Sequence, residues 1–382
     1  MKNIFSKFKK DTKKSSSDRI LLITTLALAI YGTVMVYSSG YAYAEFKYND
    51  PNHFTVRQTV WLFIGIVAML FASRIEIEII KKLTPYLYGF TLILLVLTLV
   101  IGFVGNGAQR WISIGPITIQ PSEIAKLTMV MMLALYFSKN EKRACTDKKG
   151  KESLIYGTLI PCLVMLVPII LVMLQKHLSC IIILGVIGLL VIVMSGVNTR
   201  YIAGFTALGI LGVSYIAFFT DYTKDRITVW QNPEAYKLTG GWQTLQGLMA
   251  IGSGGLFGKG LGNGELKHCY VSEPANDMIF AILCEECGFV GAATAIILFS
   301  ILVYSAFRIA MKTDDIYSRL LTLGIATKIA VQALLNIAVV TNTIPNTGIS
   351  LPFFSYGGSS LIMIFFEIGL ILSISRKARI QK

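Results

Sequence analysis

Apolar residues along this chain run in long blocks, without the period-two or period-3.6 stripes of a water-soluble fold. The blocks fall at 20–40, 59–73, 83–104, 122–138, 154–174, 178–197, 201–220, 278–307, 320–341 and 359–374. A block of about 20 residues is long enough to cross the hydrocarbon core as a helix. The pattern therefore predicts an all-α polytopic membrane protein with ten transmembrane helices. The second and fourth blocks are short, so their ends are placed only to within several residues. One connection is long, residues 221–277 between the seventh and eighth helices. The rest divides into a basic tail at 1–19, a single membrane domain at 20–374 and a second basic tail at 375–382, with no internal repeat and no soluble domain.

Composition agrees with this picture. Hydrophobic residues make up 54% of the 382 positions and charged ones only 15%, with mean hydropathy +0.65. A soluble globular chain carries about a quarter charged residues, so a soluble enzyme, a secreted disulfide scaffold and a disordered chain are excluded. The net charge of +14 needs no nucleic acid, because cytoplasmic loops of membrane proteins collect Lys and Arg. With ten spans both termini share a side, and that side holds 24 Lys and Arg against nine opposite. Both termini are thereby assigned to the cytoplasm, and the long 221–277 segment to the outside. The block at 20–40 is too long for the core of a cleaved signal peptide. The lysines from Lys2 to Lys14 read as a solvated arm near anionic headgroups. The six cysteines show no framework spacing. Cys284 and Cys287, one turn apart, read as packing before a metal or redox pair.

Candidate chemistry concentrates on the outer side. In RWISIGPITIQPSEIAK (Arg110–Lys126), Pro121 suits the first turn of a helix, and Glu123 and Lys126 share a helix face. They make either a structural ion pair or part of a site. Arg110 offers a guanidinium that matches phosphate oxygens in pairs. In EPANDMIFAILCEECGF (Glu273–Phe289), Asp277 stands where the long loop meets a helix. It is either a helix cap or, if burial raises its pKa, a usable base. Glu285 and Glu286 lie about 12 Å deeper at ~1.5 Å per residue. In QALLNIAVVTNTIPNTGISLPFFSYGGSS (Gln332–Ser360), Gln332 and Asn336 share a face and serve helix contacts or a cavity. Prolines and glycines beyond them predict irregular backbone that must be buried in protein or wet. The run GSGGLFGKGLGNG (Gly252–Gly264) offers backbone freedom and amides for an anion, or simple turns. Trp230, Tyr236, Trp242 and Tyr270 read as anchors at headgroup depth. Lys328 and Glu367, each about eight residues from the cytoplasmic end of its helix, are predicted to form an ion pair inside the membrane.

These stretches, in this order, resemble the SEDS family (FtsW, RodA and SpoVE), polytopic proteins that build bacterial peptidoglycan, over nearly the whole chain. TVWQNPEAYKLTGGWQTLQGLMAIGSGG and HLSCIII are more similar to its division and sporulation branch. The resemblance implies a peptidoglycan glycosyltransferase that polymerises lipid II at the outer face of the cell membrane, at the septum or the spore wall. It matches Asp277 to the family's essential aspartate. It places Arg110, Glu123, Lys126, Lys267, Gln332, Ser355 and Ser359 around the substrate, with Arg110 and Lys267 expected to offset charge on a departing diphosphate. It leaves room for a divalent cation, Mg or Mn, and calls for no organic cofactor. It implies as partners a class B penicillin-binding protein and other divisome or sporulation membrane proteins. Departures are Ser272, Met278 and Asn342, and Lys176 with His177 in a motif that is often acidic; they bear on loop geometry and spare Asp277. A lipid II flippase using Glu285, Glu286, Gln332 and Asn336, and a scaffold that only positions a transpeptidase, are the rival readings.

Overall fold

The computed structural model describes residues 16–105, 108–114, 117–145, 150–219, 221–268 and 270–380. Lys2 to Lys14 and Cys269 lie outside them. In chain order the helices are α1 (Ser16–Tyr48), α2 (His53–Ala72), α3 (Ile77–Ile101), α4 (Pro121–Cys145), α5 (Lys151–Leu174), α6 (Leu178–Met194), α7 (Thr199–Phe219), α8 (Asp221–Gln231), α9 (Trp242–Ser253), α10 (Ile279–Met311), α11 (Ile316–Val340) and α12 (Gly358–Ile380). Each of the ten apolar blocks becomes one helix, and α8 and α9 are added within the long outer segment. By length and apolar composition alone, seven described helices suffice to cross a membrane, and α6 is a shorter apolar helix. Pro121 opens α4, where its missing N–H costs nothing. Thr25, Thr84 and Thr98 turn their hydroxyls back to the carbonyl four residues earlier, so these donors do not meet the apolar surroundings free.

α11 lies at the centre, packed against α4, α6, α10 and α12. It carries Lys328, Gln332 and Asn336, all buried, at intervals of four, which sets them along one stripe of the helix. Lys328 Nζ meets Glu367 Oε1 of α12 at 2.5 Å with both side chains buried. This is the intramembrane pair expected from antiparallel neighbours. The pair Lys126–Glu123 on α4 (2.7 Å) is buried close by, near enough for Glu123 to feel the charge of Lys328.

Two elements depart from the sequence reading. Between α3 and α4 stands an antiparallel ribbon, β1 (Phe103–Gly105), β2 (Ala108–Ile114) and β3 (Ile117–Ile119), where a plain loop was expected. Its register sets Trp111 opposite Phe103 and Ile112 opposite Ile119. The second is the glycine run, read from the sequence as amides for an anion or simple turns, which docks into a break of α10. α9 packs against α10, and the chain after it turns beside residues 284–290 of α10. Nine residues separate Ile279 from Gly288, a depth of about 13.5 Å at ~1.5 Å per residue. Gly288 breaks α10 with φ 64° and ψ −163°, a conformation open essentially to glycine alone.

The break frees backbone groups, and the loop takes them. Lys259 N and Gly260 N donate to the carbonyls of Glu285 and Glu286 (2.9 and 3.0 Å), while Phe289 N and Val290 N donate to Gly255 and Leu256 (2.9 and 3.1 Å). Irregular backbone is thus satisfied inside the membrane by another irregular segment. Gly258 has φ +79°, and a methyl added there would overlap the Glu286 carbonyl. The anion held by the loop's amides is internal: Glu285 accepts from Glu265 N (2.9 Å) and Leu266 N, and pairs with Lys259 at 3.1 Å. Leu256, Phe257 and Leu261 face outward at 65%, 79% and 57% exposure, so the hairpin's other side is apolar. Gly288→Ala is expected to lose about 1–3 kcal/mol from backbone strain, plus the clash with Gly258 N and Leu256. Thermal unfolding in detergent checks it, with Gly252→Ala, where a methyl meets nothing within 4 Å, as the neutral comparison.

Candidate active site

Asp277 sits at the end of the long outer segment, two residues before α10. Its backbone is fixed from several sides. Asn336 Nδ2 donates to the Asp277 carbonyl (2.8 Å) and to that of Ile349 (2.7 Å). Tyr356 N donates to the Ala275 carbonyl at 2.8 Å. Ser355 Oγ donates to the Asn276 carbonyl (2.6 Å) and accepts from Leu351 N (2.7 Å). The Pro and Gly residues at 345–358 thus shape a strap that holds the segment before α10, in accord with the expected buried irregular backbone.

The carboxylate itself is not used as a helix cap. Met278 occupies the cap position of α10 and no side chain caps it. Asp277 Oδ1 instead accepts from Gln243 Nε2 of α9 at 3.4 Å. Asn346 Nδ2 donates to Gln243 Oε1 (3.2 Å), and Arg226 of α8 donates to the Asn346 carbonyl (2.6 Å). Gly348, with φ +66°, passes close to the other carboxylate oxygen. Burial, and next the charge of Glu273, push the Asp277 carboxyl up to about 6; the Gln243 hydrogen bond opposes the rise.

A cavity of about 980 Å³ opens in front of Asp277. Arg110, Glu123, Lys126, Gln332 and Ser359 are on its wall with Asp277, so six of the eight residues singled out in the sequence converge. Arg110 comes from β2, Glu123 and Lys126 from α4, Gln332 from α11 and Ser359 from α12. Arg110 donates through one terminal nitrogen to the Lys176 carbonyl (2.9 Å), while its buried Nε has no partner. His177, also on the wall, is kept neutral: burial, then the charge of Arg110, lower its pKa to about 3.

Two expectations are corrected. Lys267 does not reach the cavity. It is fully buried against the other face of α10, bonded to Glu286 (2.6 Å) and to the Gly262 carbonyl (2.7 Å), with its ammonium 5.0 Å from the Tyr41 ring. Ser38 of α1 completes Glu286. A lysine with three donors so placed closes the hairpin and has none to offer a phosphate. Ser355 is likewise spent on backbone behind Asp277. The polar groups named for a headgroup path are mostly closed too: Glu285 and Glu286 are saturated by neighbours, Asn336 spends its amide nitrogen on two backbone carbonyls, and Gln332 alone of the four faces the cavity.

The wall also carries residues the sequence reading passed over, chiefly Arg57 of α2, Arg226 and Gln243. A signal was present. The segments that the sequence assigns to the outside are poor in basic residues, yet they hold three arginines, Arg57, Arg110 and Arg226, and all three line this cavity.

The family model described as cell cycle protein, which covers FtsW, RodA and SpoVE, matches residues 18–380. This chain belongs to the FtsW, RodA and SpoVE family. As a member of that family it is 38% identical to stage V sporulation protein E of Bacillus subtilis, over 96% of this chain and 99% of the relative. It is 35% identical to a probable peptidoglycan glycosyltransferase FtsW of Trichlorobacter lovleyi, over 96% and 95% of the two chains. Among solved structures it is similar to a chain of a peptidoglycan synthase complex that coordinates polymerization and crosslinking (TM-score 0.77, 26% identity, 94% of this chain and 97% of that one). It is also similar to the rod shape determining protein RodA of Thermus thermophilus (TM-score 0.68, 26% identity, 94% and 96%). The ten-helix membrane architecture is that of the family.

Proposed function

We propose that this protein is a peptidoglycan glycosyltransferase that joins lipid II units at the outer face of the cell membrane, with Asp277 as its base. The observation that carries the reading is the convergence of a carboxyl tuned to about 6 with three arginines on one cavity. Deprotonated Asp277 takes the proton of the acceptor sugar's 4-hydroxyl. The freed oxygen pair forms the new bond to the donor's anomeric carbon, and the bond from that carbon to the diphosphate oxygen breaks with inversion. Arg110, with its unpartnered Nε, and Arg57 offset the charge gained by the polyprenyl diphosphate, an interaction stronger in the transition state than in the ground state. Val56, Val60 and Phe103 form an apolar lip of the cavity, each more than half exposed, which suits lipid tails that stay in the membrane.

A divalent cation is compatible with this site only as a shared ligand. Among the described residues no three His, Cys, Asp or Glu side chains converge. Glu273 and Asp277 do face the same cavity, and Mg²⁺ commonly takes one or two carboxylates with phosphate oxygens and water completing it. Such an ion would neutralise charge on the leaving diphosphate. The resemblance of the fold to a chain that works in a crosslinking complex supports a transpeptidase of the penicillin-binding class as partner. The 24-to-9 distribution of basic residues supports cytoplasmic termini and an outer active site, at the septum or spore wall.

The test is a gel assay of glycan strands made from lipid II by the purified protein, with and without its transpeptidase. Polymer supports the reading; lipid II translocation in vesicles without polymer overturns it. The pH profile adds a second check. Asp277 must be ionised to act, and its carboxyl titrates near 6, so kcat/KM is expected to fall as pH drops through about 6 and to level off above about 7. A profile flat down to pH 4.5 would contradict the assignment.

A further inference from the structure

Among the described residues four side chains on the cavity wall carry buried polar atoms with no partner: the acceptors Glu123 Oε2 and Gln332 Oε1, the hydroxyl Thr347 Oγ, and the donor Arg110 Nε. Glu123 and Gln332 are themselves 5% and 3% exposed. Buried polar groups in folded proteins are nearly always completed by protein, water or ligand. Their protein neighbours are already engaged, Lys126 with Glu123 Oε1 at 2.7 Å and Ser179 with the Thr347 carbonyl. A carboxylate oxygen and an amide oxygen are obligate acceptors. The group that Glu123 and Gln332 await therefore carries an N–H or O–H, whereas Arg110 Nε is left for a phosphate oxygen.

The stripe on α11 gives the depth. Asn336 holds the Asp277 carbonyl at 2.8 Å. Gln332 lies one turn further in, and Lys328 one turn beyond that, at ~5.4 Å per turn. Lys328 is bound to Glu367 at 2.5 Å and neither is on the cavity wall, so along α11 the cavity ends blind at Gln332. Cys180 and Ile183 of α6 stand on the same wall and give it an apolar side.

We propose that this blind arm receives the acetamido group on C2 of the acceptor amino sugar, with Gln332 accepting its N–H and Cys180 and Ile183 covering its methyl. The proposal rests on the reading in which Asp277 takes the proton of the acceptor's 4-hydroxyl. On a pyranose ring C2 lies two bonds from C4, so a sugar held by its 4-hydroxyl at Asp277 extends that substituent about one turn inward. A hydroxyl would satisfy an acceptor and leave the apolar side bare; an acetamido group fits both. The arm would then tell amino sugars from plain hexoses.

The test compares lipid II with an analogue whose terminal acceptor sugar carries a C2 hydroxyl in place of the acetamido group. Initial rates of glycan formation are read for the wild type, Gln332→Leu and Asp277→Asn. The wild type is expected to be about ten- to hundredfold slower on the analogue, the cost of an unpaired buried acceptor. Gln332→Leu is expected to be slowed on lipid II by a similar factor and to treat the two substrates alike within about twofold. Competition of each substrate against fluorescent lipid II reads the same ratio in binding where turnover is absent. A wild type indifferent to the exchange, or a Gln332→Leu protein that keeps the wild-type ratio, overturns the proposal. If Asp277→Asn polymerises normally while the ratio still collapses in Gln332→Leu, the base assignment falls and the acetamido arm stands.

Discussion

Asp277→Asn, purified and supplied with lipid II, is expected to lose about 10²- to 10⁴-fold in glycan synthesis, the usual worth of a positioned general base. The substitution is nearly isosteric and keeps the surroundings intact. The Asp277 backbone is held by Asn336, and the neighbouring residues by Ser355 and Tyr356, none of which touches the carboxylate. An amide at 277 still meets the Gln243 side chain, whose own amide can rotate. Only the ability to take a proton is removed. The variant should therefore elute and unfold as the wild type does and bind lipid II with little change, while its residual rate loses the inflection near pH 6. Polymer within about tenfold of the wild type would end the assignment.

Lys267→Met is expected to cost about 3–5 kcal/mol of stability, because it leaves the Glu286 carboxylate buried without its counter-charge. Both side chains of this pair are fully enclosed, so no water enters to repair the loss. The effect should appear as a large drop in unfolding temperature in detergent and as poor recovery of monodisperse protein. Replacing both partners, Lys267→Met with Glu286→Leu, should recover most of it, since an apolar pair of similar volume needs no counter-ion. The double variant also separates structure from chemistry. If Lys267 only closes the hairpin, the well-folded double variant keeps its KM for lipid II within about threefold. A many-fold rise in KM there would return Lys267 to the phosphate site.

Which parts were legible in the chain follows from what lipid imposes. A helix is the main way to bury backbone in hydrocarbon, so block length alone located ten helices, seven of them long and apolar enough to cross a membrane. The Lys328–Glu367 pair was legible for the same reason: two opposite charges at equal depth in antiparallel helices have few other places to go. The convergence of Arg110, Glu123, Lys126, Gln332, Ser359 and Asp277 was carried by the motif order. Lys267 and Ser355 were misplaced because a motif gives proximity along the chain and not the direction in which a side chain points. Lys267 leaves the cavity to pair with the buried Glu286, two residues before the break in α10 at Gly288, a backbone event that no composition rule announces. The β ribbon was legible in principle, as isoleucines alternate through Ile112, Ile114, Ile117 and Ile119, but so short a run is easily taken for loop.

The hairpin between α9 and α10 constrains how the chain is made. Its backbone partners at Glu285, Glu286, Phe289 and Val290 emerge from the ribosome after it does, so it has nothing to bond with while it is being threaded across. The hairpin therefore sets late, once residues 285–290 are in place to take its backbone groups.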